Sequence, residues 1–127
     1  MSLLSTEDRL EIAELCARYC WAIDQRSWDG FVDLFTEDCR LDFGAVMGLF
    51  EGHDGIRRFT ATMSDLDLFM RHYSTNLVIE GDGGEARARS YVLAITGPGE
   101  ARRQATGRYE DSRCAPLSSG SPRRASL

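Results

Sequence analysis

The spacing of apolar residues changes partway along the chain, and this limits the fold more than any other feature of its 127 residues. In the first half apolar side chains recur at three- and four-residue steps; from Phe69 they alternate. Ile12, Leu15, Cys16, Tyr19, Cys20 and Ile23 form one face of an amphipathic helix. Ser5 with Asp8 three residues on makes a capping box, so this helix is expected from about Thr6 to about Gln25. A second, short helix is expected after Ser27, which is placed to cap it, with Trp28, Phe31, Val32, Leu34 and Phe35 on its apolar side. Cys39 to Phe43 alternates as a strand does, Gly44 to Gly52 suits a loop or an irregular strand, and Asp54 can cap a third helix carrying Ile56, Phe59 and Met63.

In the second half, Phe69 to Glu80 carries Tyr73, Thr75, Leu77 and Ile79 on one parity, a strand rich in β-formers. Gly81-Asp82-Gly83-Gly84 is a turn, Glu85 to Thr96 alternates again, Gly97-Pro98-Gly99 breaks it, and Arg102 to Asp111 is a further strand. Two hairpins in succession imply an antiparallel sheet. Helices first and a meander afterwards predict an α+β domain with its helices on one face of the sheet. Ser112 to Leu127 departs from this pattern, with five serines, two prolines and three arginines and no apolar period, so the domain is expected over 1–111 and a disordered or irregular tail over 112–127.

Composition excludes several function classes. At 43% hydrophobic and 28% charged residues the chain is that of an ordinary globular protein. No apolar run approaches the roughly 18–20 residues of a membrane span, and the first residues lack a secretory signal, so no membrane partner and a cytoplasmic location are expected. All fifteen basic residues are arginine, which excludes lysine Schiff-base chemistry and a P-loop phosphate site. A net charge of −5 argues against broad nucleic-acid binding, although residues 1–82 hold sixteen acids and seven arginines and residues 83–127 four acids and eight arginines. Four cysteines without C-x-x-C spacing and only two histidines, His53 and His72, offer no metal or redox site; the thiols are expected to be buried and reduced, and no cofactor is implied.

Two polar residues stand out. Counting in fours along the first helix, Cys16 and Cys20 lead to Asp24, so the aspartate projects from the apolar side. An ionised carboxylate buried without a partner is costly, so Asp24 is either wet at the helix end or paired inside. His72 lies in the Phe69–Glu80 strand with the polar parity mates Ser74 and Asn76, on a face that is either solvent or the lining of a wet cavity. If the two met, a carboxylate on one imidazole nitrogen would fix the tautomer and leave the other as a general base.

Glu11-Ile-x-Glu-Leu-x-x-x-Tyr19, Ala22-Ile-Asp-Gln-Arg-Ser-Trp-Asp29, Leu34-Phe-Thr-Glu-Asp38, Gly52-x-x-Gly-Ile56, Arg71-His72-x-x-x-Asn76 and Gly107-Arg-Tyr-Glu-Asp111 occur in this order. Together, over about residues 6–111, they resemble the SnoaL-like branch of the nuclear transport factor 2-like superfamily. The resemblance implies a cone-shaped, strongly curved antiparallel sheet on three helices, a cystatin-like α+β barrel with an internal pocket. It also implies a catalytic pair: Asp24 and His72 match the aspartate and histidine of scytalone dehydratase and hexachlorocyclohexane dehydrochlorinase type members. A second histidine for the leaving oxygen has no counterpart here, and a closing strand of Gly-Trp-Arg type is replaced from Ser112 onward. A reading-frame change would account for that switch; translating the other frames of the coding DNA tests it.

The expected activity is cofactor-independent elimination, isomerisation or cyclisation of an apolar cyclic, aromatic or polyketide-like metabolite, in a homodimer. Tyr19, Trp28, Phe43 and Met47 are candidate pocket walls, and Tyr91 and Tyr109 candidate donors to a substrate oxygen. The alternative is a non-catalytic binding or assembly subunit resembling the small subunit of ring-hydroxylating dioxygenases, in which Asp24 and His72 are structural.

Overall fold

The computed structural model describes residues 4–45, 47–66, 68–81, 86–98, 103–113 and 124–126, with side chains in the last two stretches described only at Gln104. Helix α1 (Thr6–Asp24) opens with the expected capping box: the Asp8 N–H donates to Ser5 Oγ at 3.0 Å and the Ser5 N–H to Asp8 Oδ2 at 3.1 Å. Its stripe of Ile12, Cys16, Tyr19, Cys20 and Ile23 is buried. Helix α2 (Trp28–Val32) follows Ser27, whose side chain makes no cap bond. Strands β1 (Arg40–Asp42) and β2 (Leu49–Glu51) pair antiparallel, Leu41 opposite Phe50. Helix α3 (Gly52–Asp65) begins two residues before Asp54, so that aspartate lies in the first turn beside Arg57 and does not cap. Gly55, where a Cβ would come within 3.0 Å of the Phe50 backbone, lets α3 lie directly on β2.

The remaining strands, β3 (Phe69–Gly81), β4 (Ala86–Gly97), β5 (Arg103–Arg113) and β6 (Arg124–Ser126), form one antiparallel sheet in that order. Residues Glu110–Ser112 of β5 pair with β6, and residues 114–123, Cys114 among them, lie outside those described. On β4 the small residues Ala86, Ala88 and Ser90 are buried while Arg87, Arg89 and Tyr91 face out. This small face lets α1 approach the sheet: Ile12 and Cys16 pack on Ala86 and Ala88, flanked by Leu77 and Ile79.

A second cluster fills the space between the helices and β1–β2. Phe31, Phe35, Phe50 and Phe59 are buried there with Tyr19, and Phe43 stacks on Phe59 with centroids 5.0 Å apart. Phe31 is fully buried and contacts Tyr19, Phe35 and Phe59 at centroid separations of 5.0–5.6 Å. Burying each such ring contributes roughly 1.5–3 kcal/mol by area alone, and edge-on ring pairs add to it.

Strict alternation along β3 fails at one place. The register against β4 shifts between Thr75 and Val78, and Asn76 has φ 58°. One extra residue on β3 makes a bulge, and asparagine tolerates the left-handed conformation it requires. Met70, His72 and Ser74 therefore turn inward before the bulge, Leu77 and Ile79 after it. Leu77 and Ile79 do not share a face with Tyr73 and Thr75, as uninterrupted alternation had them.

The expected barrel is not present. The described strands fall into two separate sheets, and the larger one is an open run from β3 to β6. Closing a sheet requires staggered hydrogen bonding around the whole ring, aided by repeated bulges. Here β1–β2 pairs only with itself, β6 is three residues long, and the β3–β4 ladder has a single irregularity. The described residues form an α+β architecture of three helices and an open antiparallel sheet neither closed nor strongly curled.

Cys16, Cys20 and Cys39 are buried free thiols. Burial pushes the Cys39 thiol up from its usual range, partly opposed by backbone hydrogen bonds. Among the described residues no helix is long and apolar enough to cross a membrane.

Candidate active site

Asp24 is the last residue of α1, and the turn after it is held firmly. Arg26 adopts φ 59°, an uncommon conformation for a residue with a side chain, and its guanidinium reaches the C-terminal carbonyls of α3. Nη1 donates to Leu66 O at 2.8 Å and Nη2 to Ser64 O at 2.7 Å, while the guanidinium carbon lies 5.6 Å from the Trp28 ring centroid. A cation at the negative end of a helix is favourable. The contact ties the α1–α2 turn, and Asp24 with it, to a second helix.

His72 lies on β3, an outer strand of its sheet, so among the described strands one side of its backbone has no partner. Asp24 fills that side. The His72 backbone N–H donates to Asp24 Oδ2 at 2.9 Å, and Nδ1 lies 2.6 Å from Asp24 Oδ1. The side chains are 10% (Asp24) and 13% (His72) exposed. A carboxylate only accepts, so Nδ1 carries the proton of this bond and, in the neutral ring, Nε2 keeps its lone pair. Among the described residues Nε2 has no hydrogen-bond partner. His53 provides the contrast: its Nε2–H donates to the Phe35 carbonyl at 2.8 Å, away from Asp24.

The pair opens on a cavity of about 730 Å³ lined by Cys20, Trp21, Asp24 and Gln25 of the α1 end and Arg71, His72 and Tyr73 of β3. Two of its walls are aromatic and exposed, Trp21 at 64% and Tyr73 at 50%. The cavity thus lies between a helix end and a sheet edge, while the interior among the helices is filled with rings.

The other candidate residues are placed elsewhere. Tyr19 is buried among Phe31 and Phe35, Trp28 packs edge-on to Phe31, and Phe43 stacks on Phe59. Met47 is exposed in the β1–β2 connection. Tyr91 faces out from β4, beside a smaller hollow of about 290 Å³ that it shares with Asn76, Val78, Arg89 and Ser90. Tyr109 pairs with Ser90 across the β4–β5 ladder, and its side chain lies outside those described. Trp21, Gln25 and Tyr73 were not anticipated as lining residues. Trp21 had a legible signal: it stands off the apolar stripe, one turn before Asp24. Among the described residues no three His, Cys, Asp or Glu side chains cluster as metal ligands would.

A model of the SnoaL-like domain matches residues 5–114. The uncharacterized protein Rv2910c of Mycobacterium tuberculosis is 30% identical over 89 residues, 70% of this chain and 60% of the relative. This chain therefore spans about 60% of the length of the curated relatives it matches. Among solved structures, a variant of Rv3472 of Mycobacterium tuberculosis, of unknown function, superposes with a TM-score of 0.81 at 26% identity, covering 96% of this chain and 74% of that one. A candidate aromatic ring hydroxylase of Novosphingobium aromaticivorans superposes with a TM-score of 0.78 at 32% identity, covering 96% of this chain and 86% of the other.

Proposed function

Because the chain belongs to the SnoaL-like domain family, within the nuclear transport factor 2-like superfamily, we propose that it is a small-molecule enzyme whose base is His72, oriented by Asp24. The observation that carries this reading is the 2.6 Å contact between Nδ1 and Asp24 Oδ1, with Nε2 left without a partner among the described residues beside an open cavity. Nε2 takes a proton from a substrate carbon made acidic by a neighbouring carbonyl or leaving group. The C–H electron pair becomes a double bond or enolate. In an elimination the leaving group departs with its own pair; in an isomerisation the imidazolium returns the proton to another carbon. Asp24 stabilises the imidazolium and keeps the ring from turning. The aromatic walls Trp21 and Tyr73 suit a small cyclic or aromatic metabolite.

A turnover screen over hydroxylated aromatic and polyketide-like compounds, run with the native chain and with His72→Gln, tests this. Loss of turnover in the variant, with its fold intact, is expected; equal turnover in both removes His72 from the mechanism.

A second reading keeps the chain as a non-catalytic binding or assembly subunit, in which the pair is structural; the similar Novosphingobium protein is named as an aromatic ring hydroxylase, the reaction class such an assembly would serve. Co-purification with a larger oxygenase subunit, together with no turnover by the isolated chain, would support it. The assembly that accompanies the enzyme reading is a homodimer, and the exposed Val78 and Tyr91 on the outer face of the sheet, away from the cavity walls, fit that. Light scattering at micromolar concentration should give twice 14.2 kDa, and a species of 14.2 kDa alone overturns it.

A further inference from the structure

We propose that the cavity selects an anionic substrate, a small cyclic or aromatic carboxylate, and that Arg71 is the residue that binds its charge. Arg71 adjoins the base in sequence and lines the same cavity. Its side chain is held on two sides: Nη1 donates to the Met70 carbonyl at 2.7 Å, and the guanidinium carbon lies 4.5 Å from the Phe69 ring centroid. These contacts fix the group without neutralising it, and a guanidinium has five N–H donors, of which one is used here.

The contrast with other arginines is direct. Arg18, Arg40, Arg57 and Arg89 each face a carboxylate, at 3.4–3.7 Å. Arg26 is engaged with the carbonyls at the end of α3, and Arg9 with the Ile79 carbonyl. Arg71 has no ion-pair partner among the described residues. The carboxylate of the same cavity, Asp24, has both oxygens on His72. A guanidinium held over Phe69, without an ion-pair partner among the described residues and lining the same cavity as Trp21 and Tyr73, matches a planar ring bearing a carboxylate, which pairs with it through charge-assisted hydrogen bonds. In a chain of net charge −5 such a substrate needs a local cation to enter.

Which substrates turn over rests on the general-base reading above; the selectivity in binding does not. The test uses two probes of one shape, 2-naphthoate and 2-naphthalenemethanol, titrated into the native chain by calorimetry with Trp21 fluorescence as a second readout. The native chain is expected to bind the carboxylate at least about tenfold more tightly than the alcohol. Arg71→Gln should abolish that preference and leave the affinity for the alcohol unchanged; Arg71→Lys should retain part of it. His72→Gln should retain the preference, which separates Arg71 from a protonated imidazole as its source.

No saturable binding of naphthoate by the native chain, equal weakening of both probes in Arg71→Gln, or a preference that follows His72 each overturns the proposal. So does lower turnover in Arg71→Gln with naphthoate affinity intact, which would place Arg71 on charge formed during the reaction. Failure of the base reading is seen separately, as unchanged turnover in His72→Gln.

Discussion

Helix α1 serves two regions built on opposite terms. Toward α2 and α3 it contributes Tyr19 and Ile23 to an interior of interlocking rings. At its end, on the same stripe, it presents Asp24 to the edge of β3, where a charge is held by two hydrogen bonds beside an open cavity. The interior is held by packed rings, and the edge by polar contacts beside the cavity. The comparison teaches that the reactive geometry depends on the packed region as a mount: Asp24 can be held at 2.6 Å from an imidazole because the helix carrying it is fixed elsewhere.

Substitutions can break this comparison one region at a time. The largest expected effect is at the edge, where His72→Gln lowers turnover by a factor of about 10²–10⁴ with little change in melting temperature. Asp24→Asn is expected to lower turnover too, and the double variant to fall no further than His72→Gln alone, since the two act as a unit. Next comes the interior: Phe31→Ala should cost about 3–5 kcal/mol in urea unfolding while leaving naphthoate selectivity unchanged in the folded fraction.

Arg26→Ala lies between the regions. It should cost about 1–2 kcal/mol of stability and lower kcat more than it raises KM, because the turn holding Asp24 is released. Unchanged kcat would separate the mount from the chemistry. Asn76→Ala should cost less than the full penalty of about 1–2 kcal/mol for a left-handed residue: both residues carry a Cβ, and alanine lacks only the short polar side chain that lets asparagine tolerate that conformation.

The smallest effect concerns pH. Burial favours the neutral Cys39 thiol in the folded state, so the unfolded chain releases that proton first. The resulting stability is complete below about pH 9 and is lost as pH rises through the folded value. Unfolding free energies at pH 8 and pH 10 should therefore differ less in Cys39→Ala than in the native chain.

Much of the scaffold was legible because it rests on local rules. The Ser5–Asp8 box and the stripe ending at Asp24 define α1, and turn residues near 81–84 and 97–99 mark off three long strands. The Asp24–His72 contact spans 48 residues of sequence, which no periodicity can supply; it was legible only through the family resemblance. The parity of β3 was misjudged because Asn76 inserts one residue, and alternation counted across a bulge reverses the faces beyond it. Tyr19, Trp28 and Phe43 are not among the residues that line the cavity beside His72. Aromatic residues at helical spacing, such as Tyr19, satisfy a packed core as well as a pocket, and burial decides between them. Closure of the sheet depends on pairing between distant strands, which strand patterns alone leave open.

That a single carboxylate grips both the ring and the main chain of His72 has a consequence for how this protein could go wrong. Replacing the acid removes the ring's partner and also strips the cover from an outer strand, leaving a backbone donor available to any extended segment of a neighbouring molecule. Solubility and reactivity are thereby yoked at one position, so inactive forms altered there should also be the ones that clump.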